Sequence, residues 1–439
     1  MPSEWEYAQL GDVARLTTGY PFKSQHYTDD VNAPRLIGGD NIVQGALRWD
    51  SIRRWPRDMT DGLDDYWLEP GDVVLAMDRP WIEAGLKRAA VGSQDVPSLL
   101  VQRTARLRGS VGLDTAFLRY VVGSQAFTHY ILSVQTGTAV PHISPAQIRA
   151  YRFPLPPLGE QRAIAETLGA LDNRIEHNRV LTANLESIAR ALFKSWFVDF
   201  DPVLAKAAGE TPAGLAPDLA ALFPARFVES ELGEIPEGWR TMPISGIAGL
   251  DTSSVKPFEE GDTEWIHFSI PAFDSGRYPA RETGQQIASN KYRVSPGSIL
   301  VSKLNPSQWR CWRPPSDLVT GKSICSTEFM QFVSLRNQPE FVWGLCQSAP
   351  FRDLVMATVD GTTGSRQRAK PKDVARGLTL FPSDSLAAAF CGMARPLLQR
   401  ADAAILEARA LAELRDLLLP RLISGKLRVE DAVAAMEAA

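Results

Sequence analysis

The feature that most constrains this chain is that it repeats itself. Leu68-Glu69-Pro70-Gly71-Asp72-Val73-Val74-Leu75-Ala76 is similar to Val294-Ser295-Pro296-Gly297-Ser298-Ile299-Leu300-Val301-Ser302, 226 positions later. At the same offset Pro145-Ala146-Gln147-Ile148 meets Pro371-Lys372-Asp373-Val374, and Gly137-Thr138 meets Gly361-Thr362 with a two-residue slip. Near each start, Trp5 and Leu10–Ala14 match Trp239 and Ile244–Ala248 at an offset of 234. Each match is weak alone. Their common order and near-constant spacing are what a duplication leaves. A chain of 439 residues has room for two such modules.

Each copy reads as two parts. The first, about 150 residues long, is rich in Gly, Pro and aromatics. It carries short apolar runs of strand type at Asp72–Ala76, Leu99–Leu107, Ser298–Ser302 and Thr327–Leu335. Pro-Gly before Asp72 and before Ser298 is a turn feeding a strand. The second part is a long helix. After Pro156-Pro157-Leu158-Gly159, a 4,3 spacing runs through Ile164, Leu168, Leu171 and Ile175, is interrupted by Asn178 and Thr182, and resumes at Leu185, Ala189, Leu192 and Trp196. In the second copy the seam is Leu386, Phe390, Met393 and Leu397, then Leu411, Leu414 and Leu418, with Arg400, Ala404 and Glu407 between; it ends at Pro420. Forty residues of helix span about 60 Å. A single stripe of that length needs a partner. The expected fold class is α+β: two pseudo-twofold-related mixed α/β domains joined by two long helices that form an antiparallel coiled coil. Residues 201–235, rich in Ala, Pro and Gly, read as a mostly irregular linker.

Composition narrows the function. No apolar run approaches the roughly 20 residues needed to span a bilayer, and the first residues lack a secretion signal, so a cytoplasmic protein with no membrane partner is expected. Cys311, Cys325, Cys346 and Cys391 form no Cys-x-x-Cys pair, which argues for buried thiols over a disulfide or zinc framework. The net charge is −4, but residues 156–235 hold twelve acidic and seven basic side chains while 236–382 hold seventeen basic and fourteen acidic. Local basic faces are therefore compatible with a polyanionic partner.

Catalytic patterns are missing. There is no GxGxxG. Gly321-Lys322-Ser323 lacks the first glycine of a phosphate loop, because position 316 is Ser316. The Asn-Pro-Pro-aromatic tetrad of amino-methyltransferases is absent, its nearest approach being Asn305-Pro306-Ser307-Gln308. His26, His129, His142, His177 and His267 have no metal spacing, and no Gly-x-Ser-x-Gly elbow occurs.

What remains is a set of side chains suited to duplex DNA: cations for phosphates, forks and amides for base edges. The first copy offers Arg48, Arg53, Arg54 and Arg57 interleaved with Trp49 and Trp55, and Arg79, Lys87 and Arg88 after the turn and strand. The second offers Lys303, Asn305, Gln308, Arg310 and Arg313 around Trp309 and Trp312, then Arg366, Gln367, Arg368, Lys370 and Lys372. Asn305-Pro306 aligns with Arg79-Pro80, so one loop carries different side chains in the two copies. The alternative for each cation is ordinary solvated surface; for the tryptophans, packing is the stronger reading. Gly137-Thr138 and Gly361-Thr362 sit before each exit to the long helix, where a structural turn and a DNA-facing loop are both open.

The run Phe153–Ala165 (FPLPPLGEQRAIA), continuing to Leu192–Phe200 (LFKSWFVDF), resembles the central conserved region of type I restriction-modification specificity subunits. Leu417–Leu427 (LLLPRLISGKL) resembles their distal conserved region, and Gly71–Val74 and Ser326–Phe329 resemble strands of their target recognition domains. One departure is Pro382-Ser383-Asp384-Ser385-Leu386, which stands where a Pro-Pro-Leu-x-Glu-Gln run is expected. The resemblance implies a first recognition domain at 1–157, a central conserved helix at 158–200, a linker at 201–235, a second recognition domain at 236–382, and a distal conserved helix with its tail at 383–439. It further implies a non-catalytic subunit that reads a split, asymmetric site in double-stranded DNA, with the helices as a ruler. The helices would dock two methyltransferase subunits, with helicase-nuclease restriction subunits joining. S-adenosylmethionine, ATP and Mg would belong to those partners and no cofactor to this chain. The competing class is a stand-alone scaffold or decoy that binds methyltransferase subunits without supporting DNA modification.

Overall fold

A computed structural model describes residues 5–82, 85–137, 140–360 and 367–437. Two compact units emerge: Met1–Ile175 with Ala410–Ala439, and Glu176–Arg409.

In the first unit, strand Tyr7–Gln9 pairs antiparallel with Arg152–Pro154, which closes the module beside its own beginning. Between them lies a sheet in the order Ala14–Thr18, Thr104–Gly109, Val73–Ala76, Arg88–Ala90, Gln44–Gly45. Its middle strand Val73–Ala76 is buried on both faces, which is why it reads VVLA without polar alternation. Val73 and Leu75 join the core with helices Thr115–Gly123 and Gln125–Val134. Val74 faces a smaller core beside the parallel pair Arg35–Ile37 and Ser98–Leu100. The two helices begin where Asp114 and Ser124 accept hydrogen bonds from the amides of their first turns.

The second unit repeats this plan. Arg240–Pro243 pairs with Leu378–Phe381. The sheet order is Ala248–Leu250, Phe329–Ser334, Ile299–Ser302, Cys311–Trp312. Ile299 and Val301 face one core and Leu300 the other. Glu264–Phe268 and Ser323–Ser326 form the parallel pair, here inside a five-stranded sheet. Ser348 caps helix Ala349–Ala357 as Ser124 caps its counterpart. The expected Pro-Gly turns are present, with Gly71 at φ 96° and Gly297 at φ 70°, a region that a side chain would strain.

Both long helices are 40 residues, Leu158–Phe197 and Asp384–Ile423, again 226 positions apart. In each unit their segments run antiparallel. Within the first unit, Ile164, Leu168 and Leu171 share a core with Leu418, Leu422 and Ile423, and Asp172 pairs with Arg415 at 2.8 Å. Within the second, the Thr182 hydroxyl lies 3.4 Å from the Ala401 carbonyl, while further along Phe193 meets Phe390 at 5.4 Å.

Several expectations need correction. Asn178 and Thr182 do not interrupt the seam; both are buried in it. In the second helix Met393 is 41% exposed, and the buried line runs through Leu386, Ala387, Phe390, Cys391, Ala394, Leu398, Ala401 and Ala404. Small alanines let backbones approach closely, so the seam follows them and not the larger Met393. The helix also continues through Pro420 to Ile423. Burial of Leu418, Leu422 and Ile423 outweighs the roughly 3 kcal/mol that an interior proline costs. Leu99–Leu107 is two strands in different sheets, divided at Arg103, whose φ is 63°. Nor is the 201–235 segment mostly irregular. It holds helices Asp201–Ala207 and Pro217–Ala220 and the hairpin Phe227–Ser230/Gly233–Pro236. Val203 and Phe223 bury it in the second unit's core.

The altered start of the second long helix has its own cap: the Ser383 hydroxyl accepts from the Leu386 amide at 3.2 Å. In the first, Gln161 is fully buried. Its amide oxygen accepts from the Asp114 amide, and its nitrogen donates to the carbonyls of Gly112 and Pro156, at 2.7–2.8 Å. Gln161 thereby ties the start of the long helix to the loop before helix Thr115–Gly123.

Candidate nucleic-acid interface

Sheet geometry decides which basic residues can act together. After strand Val73–Ala76 the chain turns at Asp78-Arg79-Pro80 against the loop at 140–142. The Arg79 amide donates to the Pro141 carbonyl at 2.6 Å, and the Ile143 amide to the Met77 carbonyl at 2.9 Å. The second unit makes the same bonds at the same offset, Asn305 amide to Gln367 carbonyl at 3.0 Å and Ala369 amide to Lys303 carbonyl at 2.9 Å. Arg79 and Asn305 both hold left-handed backbone, φ 44° and 46°. The framework is conserved within the chain.

The side chains on it are not. In the first unit Asp78 is shared between Arg103, at 2.5 Å, and His142 Nδ1, at 2.6 Å. Burial pulls the Asp78 carboxyl upward, but hydrogen bonds from Arg103 and His142 outweigh it and hold the group below the ordinary carboxylate range. In the second unit the position of Asp78 is Leu304, that of His142 is Arg368, and Glu328 takes the place before the strand that Arg103 holds in the first. Arg368 pairs with Glu328 at 3.1 Å and Lys370 with Asp360 at 2.7 Å.

A cleft of about 440 Å³ opens in the first unit, lined by Arg53, Arg79, Lys87 and Arg103 with Asp40 and Asp78, and by Gly38 and Gly39. Arg53, Arg79 and Lys87 thus come together from three segments. Arg53 pairs with Asp40 at 2.5 Å. Burial pulls the Lys87 ammonium below its ordinary value; Asp40 opposes that, while Arg48 and Arg79 add to it. Sequence does not reveal Gln102 and Arg103, since only the split of Leu99–Leu107 into two strands brings their turn to the cleft, while His142 reaches Asp78 from the 140–142 loop.

Other candidates go elsewhere. Arg88 opens strand Arg88–Ala90 directly after Lys87 and lies on the side of the sheet that helix Thr115–Gly123 covers. Its guanidinium packs where a Cβ on Gly123 would lie 2.7 Å away, close to Arg119 and Asp172. Arg54 donates to the Ala33 carbonyl at 2.7 Å. Arg313 is bound to Asp402 at 2.5–2.7 Å and to the Leu398 carbonyl, with 18% of its side chain exposed. Arg310, 11% exposed, is held by Asp274 at 2.7–2.8 Å and by the Gln308 side chain. These bonds occupy the donors a phosphate or base would need. Lys303, Asn305, Gln367, Arg368 and Lys370 gather around the bridge between Leu304 and Arg368. Thr138 and Arg366 lie outside the described residues.

The tryptophans pack. Trp55 and Trp312 are buried, each edge-on to a phenylalanine at 4.8 Å. Trp49 donates to Asp95 at 2.8 Å, and Trp309 lies under Arg352. All four cysteines are buried and unpaired, and burial pushes the thiols of Cys311, Cys325 and Cys391 up to about 12. Among the described residues no group of His, Cys, Asp and Glu is placed to hold a metal, and no helix is long and apolar enough to cross a membrane.

Residues 2–187 match the type I restriction modification DNA specificity domain family. The specificity subunit of the type I restriction enzyme EcoAI of Escherichia coli is 34% identical over 174 residues, 39% of this chain and 29% of that protein, so the chain spans less than a third of that relative. The MjaIX specificity subunit of Methanocaldococcus jannaschii is 23% identical over 463 residues, covering 98% of this chain and 95% of that one. The crystal structure of the type I restriction-modification S subunit from M. genitalium has the same fold. Its TM-score is 0.57 at 14% identity, with 96% of each chain covered.

Proposed function

We propose that this chain is a type I restriction-modification specificity subunit, a reading supported by the family match over residues 2–187 and by full-length relatives, and that it reads a two-part, asymmetric site in double-stranded DNA, one half per module. The observation that carries this reading is the pair of aligned loops at Asp78–Pro80 and Leu304–Pro306. They keep the same backbone hydrogen bonds and the same left-handed residue but present different side chains. A framework of that kind holds a reading surface in place while leaving its sequence preference free to differ. Lys87 and Arg53 in the first unit and Lys303 in the second suit phosphates.

The chain supplies recognition and no bond-making chemistry. Its partners are two methyltransferase subunits, which bring S-adenosylmethionine, and restriction subunits, which bring ATP and Mg. Selection from a randomised duplex pool tests the reading. The expected product is one motif of two short defined blocks separated by an undefined gap. A single continuous block, or no enrichment, contradicts it.

A further inference from the structure

We infer that Arg79 and Asn305 are equivalent base-reading residues, with Arg79 specifying guanine in one half-site and Asn305 adenine in the other. The assignment rests on the proposed reading of the chain as a DNA-recognition subunit and deepens it.

Left-handed backbone is unfavourable for most residues with a side chain, for arginine more than for asparagine. Glycine would occupy both places without strain, yet the two modules carry Arg and Asn there, each before a proline. Strain retained at one place in both copies marks a functional position. The place is also rigid, because its backbone amide and the carbonyl of the residue two before it are both bonded to the 141–143 and 367–369 segments.

Neither side chain is committed to the fold. Arg79 is exposed at the cleft and, among the described residues, has no carboxylate within ion-pairing distance, whereas its neighbours Arg53 and Arg103 are both paired. The Asn305 amide oxygen is buried and, among the described residues, has no hydrogen-bond partner, so its carboxamide would turn outward to meet a base. The chemistry then separates the two. A guanidinium fork matches O6 and N7 of guanine, and a carboxamide matches N6 and N7 of adenine.

The test uses the full chain and a randomised duplex pool, with bound DNA sequenced. R79G and N305G remove the side chain and keep the backbone region, so the fold is preserved. R79K keeps the charge without the fork. The expected result for R79G is loss of preference for guanine at a single position, by roughly tenfold or more, with the other block unchanged. R79K gives a partial loss at that position. N305G does the same for one adenine in the other block. An unchanged motif with R79G, or weakening spread evenly over all sequences, overturns the assignment. Failure of the wild-type chain to enrich any motif removes the DNA-reading function and this assignment with it; a wild-type motif left intact by R79G and N305G removes the assignment alone.

Discussion

Asp172→Ala should be among the most damaging single changes in the first unit. The Asp172 carboxylate, with 16% of its side chain exposed, accepts from Arg119, from the Tyr120 hydroxyl at 2.8 Å and from Arg415 at 2.8 Å. The buried Arg88 guanidinium lies close to the same group. Removing the carboxylate leaves three guanidiniums facing one another and a phenol without an acceptor. Breaking a buried ion pair costs about 3–5 kcal/mol. Arg119 and Arg415 keep 36% and 30% of their side chains in water, which favours the lower end, about 3 kcal/mol. Asp172→Asn keeps an acceptor for Tyr120 and loses the charge, so it should cost less, about 2 kcal/mol. The two units need not unfold together, so hydrogen exchange of the amides in Thr115–Gly123 is the suitable assay, since it reads that unit alone. Protection falling by less than about tenfold, 1.4 kcal/mol, in Asp172→Ala would refute the reasoning.

Two further outcomes are expected. Lys87→Ala and Lys303→Ala should each weaken binding to all sequences and lower the slope of log affinity against log salt by about 0.9; an unchanged slope, measured by fluorescence anisotropy, would return that lysine to solvated surface. Asp78 has a folded pKa below its ordinary 3.8. Its bonds to Arg103 and His142 therefore contribute stability that is present above that value and lost as pH falls through the lower, folded one. Asp78→Asn should flatten the acid limb of the stability–pH curve below about pH 4 and leave its neutral plateau sloping as before; identical acid limbs in the two proteins would count against the bridge.

Local signals carried most of the architecture. Pro-Gly turns and apolar runs at one offset gave the repeat, and the 3.6-residue period gave both long helices. What failed was non-local. Nothing near Arg313 in the chain announces Asp402, and nothing near Arg310 announces Asp274, so both looked free for DNA. Nothing near Arg88 announces that it packs against Gly123 and not beside Lys87 at the cleft. The seam of the second helix is hard to place from sequence because Ala394, Ala401 and Ala404 carry a weak hydrophobic signal beside Met393 and Leu397. Pro420 reads as a stop because its local cost is visible in the sequence and the burial that offsets it is not. The linker hid its structure for the same reason: Val203 and Phe223 are two apolar residues in a polar stretch, and their core is supplied by other segments.

The central claim is that each module reads its own half of the site. Exchange of residues 236–382 for the matching segment of a relative, followed by sequencing of the DNA the chimera selects, tests it most directly. The account predicts that one block of the motif changes and the other stays as it was. A change in both blocks, or in neither, contradicts it.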